Sequence, residues 1–148
     1  VTAFRGCDAS ARVEWVAGSM AARTLAATRL TETWIHTGDV AEPLGMTLVP
    51  TRRLHHTARL TWRTVPYAFA REGLELQAPV VFELTAPDGS TWRFADDTLA
   101  AGAAVTVVSG TALDLCTVAG QRADAAHTGL RADGPDAHRV LQLVRTFA

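Results

Sequence analysis

Lysine is absent from this 148-residue chain: all 14 basic residues are arginine, and with 15 acidic residues the formal net charge is −1. The arginines are scattered and form no basic run, so nothing in the sequence draws a polyanion, and no nucleic-acid partner is expected. Cysteine is scarce as well. Cys7 and Cys116 lie far apart and belong to no CxxC or Cys/His cluster, which argues against a disulfide scaffold or a thiolate metal site and points to a reducing compartment. No run approaches the roughly 18 apolar residues that a membrane-spanning helix needs. Residues 1–8 lack the charged-then-apolar pattern of a signal peptide. The expected setting is therefore the cytoplasm, away from membranes. Internal repeats and low-complexity tracts are also missing, and the leading valine fits either an alternative start or the cut end of a longer protein.

What the chain does have is 48% hydrophobic residues, enough for one ordinary core, or for one small domain plus a piece of another. Ser19 suits the N-cap of a helix over residues 20–41, which Pro43 and Gly45 would stop. At about 100° per residue, Ala27, Leu30, Trp34 and Ala41 share a packing side, while Arg29, Glu32, His36 and Asp39 share another sector. A second helix is expected over 51–63, with Leu54, Ala58 and Leu60 inside it and Pro66 ending it. The character then changes. Residues 80–85 and 91–94 read as a hairpin across the turn Pro87-Asp88-Gly89-Ser90. A strand near 105–108 and a helix over 111–118 follow. A last amphipathic helix over 136–147 carries Val140, Leu143, Val144 and Phe147. The division is an N-terminal helical segment, 1–47, and an α+β domain, 48–148.

Glu32 and His36 stand four residues apart on the first helix, so a carboxylate oxygen and an imidazole nitrogen project side by side and can hold one cation. Five histidines and 15 acidic residues in 148 give this spacing about 0.5 times per chain by chance. The spacing alone therefore leaves a surface ion pair open beside the metal pair. Asp39, one turn beyond His36, is placed either to orient the imidazole from behind or to serve as ordinary helix-end polarity. Trp34 and Trp62 read as core, and Trp15 and Trp92 as core or pocket wall.

The run Arg29-Leu30-Thr31-Glu32-Thr33-Trp34-Ile35-His36-Thr37-Gly38-Asp39-Val40, with Leu44-Gly45 after it, resembles the signature helix of the mycothiol-dependent maleylpyruvate isomerase family. The likeness continues through Arg53-Leu54-His55-His56-Thr57-Ala58, residues 63–69 and Gly110-Thr111-Ala112-Leu113-Asp114-Leu115-Cys116, and it is to the C-terminal part of that family. It implies a helix from a DinB-like bundle followed by a sterol-carrier-like α+β domain with a mainly antiparallel sheet. It also implies that Glu32 and His36 bind a divalent metal, zinc, whose open position receives mycothiol or a similar small thiol. The reaction implied is an isomerisation or S-transfer. Arg122 is the nearest match to an arginine that the family uses in catalysis; its other reading is a cation satisfying the end of the preceding helix.

In the family a third ligand, a histidine, comes from an earlier helix, and no histidine precedes His36 here. His55 and His56 either complete the set or are polar positions on the next helix. The resemblance thus implies a missing N-terminal bundle or a partner copy that supplies it. Two other classes stay open: a non-catalytic sterol-carrier-like module for small molecules or lipids, and an interaction fragment whose Leu30 and Trp34 need a partner bundle.

Overall fold

The computed structural model describes residues 5–15 and 18–146. The fold is α+β, and the chain divides into two compact units, Val1–Thr47 and Leu48–Ala148. Among the described residues no helix is long and apolar enough to cross a membrane.

The first unit contains an antiparallel hairpin, β1 (Arg12–Trp15) and β2 (Gly18–Ala21), in the register Arg12↔Ala21 to Trp15↔Gly18. Helix α1 (Ala22–Ala41) follows directly. Residues 18–21 are strand rather than the helix start and Ser19 cap expected above. Ser19 instead accepts from Arg12, whose Nε donates to its Oγ at 3.2 Å and whose Nη2 donates to its carbonyl. The helix is closed by backbone: the N–H groups of Ala22 and Arg23 donate to the carbonyls of Ala11 (2.8 Å) and Ala9 (3.0 Å). A folded-back chain thus does the work that a side-chain cap would do.

Thr31 and Ile35 are buried on α1, whereas Leu30 and Trp34 are only half-buried, so the innermost line runs one residue beyond the expected one. Elsewhere on the helix Thr28, Thr33 and Thr37 bond their hydroxyls to carbonyls four residues back. A 3-10 turn, Glu42–Leu44, ends the helix, and Gly45 takes the left-handed conformation (φ 65°) that closes it.

In the second unit, α2 (Leu54–Arg71) precedes a four-stranded sheet in the order β4-β3-β5-β6. Strand β3 (Val80–Thr85) pairs antiparallel with β4 (Thr91–Phe94) and parallel with β5 (Thr106–Thr111). The edge strand β6 (Arg131–Asp133) pairs antiparallel with β5. Two of the three pairings are antiparallel, with the parallel one at the centre. The registers Phe82↔Phe94 and Leu84↔Trp92 place those four side chains on one face, and all four are buried. Helices α2, α3 (Ala112–Ala119) and α4 (Ala137–Leu143) cover the sheet. The opposite face carries the exposed pair Glu83 and Arg93, 3.3 Å apart.

The 87–90 turn forms as its residues dictate. Asp88 Oδ1 accepts from the Ser90 N–H (3.1 Å) and hydroxyl (2.6 Å), and Gly89 takes φ 80°. Thr111 caps α3 by accepting the Asp114 N–H at 3.0 Å.

Pro66 does not end α2; it lies inside the helix, on the exposed side. Proline in a helix costs roughly 3 kcal/mol. Continuing the helix past Pro66 buries Ala68 and Phe69, and full burial of a phenylalanine returns up to about 3 kcal/mol. Packing offsets the broken bond.

The last helix is shorter than expected. It stops at Leu143, Val144 is extended, and Thr146 donates its N–H to the Ala119 carbonyl at 3.0 Å. The Arg145 carbonyl accepts from Thr64 Oγ1 at 2.8 Å. These bonds to α3 and α2 draw the segment out of helical geometry. Phe147 lies outside the described residues.

Candidate functional site

Helix α1 brings three of the expected site residues together. The His36 ring is held between two carboxylates: its Nε2 is 3.1 Å from Glu32 Oε2 and its Nδ1 is 3.0 Å from Asp39 Oδ2. The i,i+4 and i,i+3 spacings place all three on one sector of the helix. The imidazole side chain is 65% exposed, so the group faces solvent.

This arrangement is a carboxylate–imidazole–carboxylate ladder, and its spacing would also suit two donors to a divalent ion. Two donors about 2.1 Å from one ion and 3.1 Å apart subtend an angle of about 95° at it, within the range that coordination allows. A carboxylate on the rear nitrogen is the usual partner of a metal-bound histidine, because it fixes the tautomer and the ring plane. The residues present therefore fit two positions of a divalent ion. Among the described residues, no group of three or more His, Cys, Asp or Glu side chains is arranged to hold a metal.

The other expected residues belong to the second unit. Arg122 follows α3, and its Nη1 donates to the Gly120 carbonyl at 2.8 Å, so the guanidinium satisfies the end of its own helix. His56 is exposed. His55 is not a simple polar position on the helix. Its ring lies 5.0 Å from that of Trp92, nearly perpendicular at 82°, and 5.0 Å from that of Phe94. Burial, and then the charges of His56, Arg59 and Arg52, hold the His55 pKa below the ordinary histidine value.

Trp62, expected as core, is half-buried and donates its indole N–H to the Val80 carbonyl at 2.8 Å. Trp92 is buried and forms the wall behind His55. Trp15 is 37% exposed, with the Arg29 guanidinium 5.7 Å over its ring. Cys116 is buried and packs its thiol on the Leu54 carbonyl, as a small apolar side chain does.

Sequence reading missed the cleft beside His55, lined also by Arg59, Trp62, Arg93 and Phe94, with a volume of about 350 Å³. The signal was present in part: His55, Arg59 and Trp62 recur at i, i+4 and i+7, one helical face. Only the sheet register, which brings Phe94 opposite them, makes that face a wall.

No family model matches the chain, and no solved structure matches it. It is similar to two proteins of Mycobacterium tuberculosis, the uncharacterized proteins Rv0036c (strain H37Rv) and MT0041 (strain CDC 1551). Each is 36% identical over 138 residues, which make up 93% of this chain and 52% of the relative. The chain spans about half the length of the curated relatives it matches.

Proposed function

We propose that this chain is the C-terminal portion of a divalent-metal-binding enzyme that uses mycothiol or a similar low-molecular-weight thiol in an isomerisation or S-transfer reaction, with zinc as the ion. The observation that carries the reading is the His36 imidazole set beside Glu32 and backed by Asp39. Asp39 keeps the proton on Nδ1, which leaves the Nε2 lone pair for the ion. Glu32 supplies the second donor and a negative charge that offsets the cation. A bound zinc ion lowers the pKa of a coordinated thiol, so that the thiolate is available near neutral pH.

In this reading Arg122 binds a substrate carboxylate through its planar fork. The remaining ligand comes from a bundle outside these residues or from a second copy, and the greater length of the relatives supports a larger whole. So do Val40, Leu44 and Met46, each more than 60% exposed around the end of α1. The proposal carries a cytoplasmic location, where small thiols stay reduced.

Metal analysis of the purified chain and of His36→Ala tests it. Bound zinc in the parent, lost in the variant, is the expected result; equal metal content in the two sinks the ligand assignment.

A second reading, a small-molecule or lipid-binding module, rests on a pocket of about 820 Å³ whose apolar lining includes Val118, Leu130, Leu141 and Val144. Copurified lipid together with absence of metal would favour it.

A further inference from the structure

The cleft between α2 and β4 has a wall chemistry that none of the proposed metal-site residues explains. Phe94, Trp62 and His55 line it together: Trp62 stacks on Phe94 with centroids 6.5 Å apart and planes at 29°, and the His55 ring lies 5.0 Å from that of Phe94. The Trp62 N–H bond to Val80 and the His55 packing on Trp92 fix these rings, so the slot exists without a ligand. No hydrogen bond to the His55 ring is made by any other described residue, which leaves its nitrogens for an incoming group. An open cleft of about 350 Å³ that presents three rings beside charged side chains suits a planar ring bearing charged groups.

Charge sets the orientation. Arg59 stands one turn beyond His55 and forms no ion pair among the described residues, so its guanidinium is available at that end. Arg93 is engaged by Glu83 at 3.3 Å. The loop after β4 adds Asp96 and Asp97 to the lining. Asp96 Oδ1 already accepts from the Thr98 N–H (2.9 Å) and hydroxyl (2.6 Å), whereas Asp97 faces solvent. The cleft is therefore cationic at the helix end and anionic at the loop end.

We propose that this cleft binds a small aromatic amino acid or aminobenzoate-type ring, its carboxylate on Arg59, its ring against Phe94, Trp62 and His55, and its amino group toward Asp97. The site does not depend on the metal reading, since it uses neither Glu32 nor His36.

The test is an NMR titration of the ¹⁵N-labelled full chain with 4-aminobenzoate, reading the indole N–H signals of Trp62 and Trp92. Saturable shifts are expected. They should weaken about tenfold in affinity in Arg59→Gln, an exposed position where the fold is retained, because one charge-assisted contact is lost. Benzoate should bind more weakly than 4-aminobenzoate, and inorganic phosphate should leave the indole signals in place. His36→Ala should bind like the parent, which separates this site from the metal proposal. Absence of saturation at millimolar 4-aminobenzoate, or unchanged affinity in Arg59→Gln, would overturn the assignment.

Discussion

Asp136 and Ala78 are tied across 58 residues of chain: the buried Asp136 carboxylate accepts the Ala78 N–H through Oδ2 at 3.0 Å. The same carboxylate accepts the Gln77 N–H, at 3.0 Å to Oδ2 and 3.2 Å to Oδ1. The Asp136 N–H in turn donates to Thr106 Oγ1 at 3.0 Å. One side chain thus pins the entry of β3 to the start of α4.

Asp136→Ala removes the acceptor from two backbone donors, of which the Ala78 N–H is buried. A loss of about 3 kcal/mol is expected, and about 1 to 2 kcal/mol for Asp136→Asn, which keeps one acceptor oxygen without the charge. Urea unfolding of the two variants measures both losses. Midpoints equal to the parent's would show that the clasp contributes nothing.

The two thiols should differ in reactivity. Cys7 is exposed, while burial pushes the Cys116 thiol far above its ordinary value of 9.0. A disulfide reagent should titrate Cys7 alone in the native protein and both thiols after denaturation. Rapid reaction of Cys116 under native conditions would contradict its place against Leu54.

His55 makes stability depend on pH with a defined sign. Its folded pKa lies below the ordinary 6.5, first through burial and then through His56, Arg59 and Arg52. The unfolded chain therefore takes up the proton first as pH falls. The stabilisation from a neutral His55 is complete above 6.5 and is lost as pH falls from there through the folded pKa. Asp88 and Asp96 are also lowered, by their hydrogen bonds to Ser90 and Thr98, but from 3.8, so their contributions fade only in more acidic solution. The urea midpoint should drop between about pH 7.5 and about pH 5 in the parent and change less in His55→Gln. Equal slopes in the two proteins would remove His55 as the cause.

Local chemistry decided part of this architecture, and it could be read in advance. The hairpin over 80–85 and 91–94 follows from alternation and from a turn in which Asp88, Gly89 and Ser90 each satisfy one conformational demand. The same holds for the Pro43 and Gly45 stop of α1, for the α+β character, and for the shared sector of Glu32, His36 and Asp39, which helical periodicity alone imposes. These features depend on contacts within a few residues.

Other features depended on partners far along the chain. Pro66 sits inside α2 because burial of Ala68 and Phe69 beyond it offsets what the proline loses. Ser19 lies in a strand because it bonds to Arg12 there, while the carbonyls of Ala9 and Ala11 cap α1 in its place. Residues 144–146 leave the helix for bonds to Ala119 and Thr64, and β6 exists only as a neighbour to β5.

The sequence by itself therefore determined the two donors of the proposed metal pair, since one helix holds both. The cleft at His55 was decided by tertiary structure, because its opposite wall, Phe94, arrives from a strand whose register no local pattern sets.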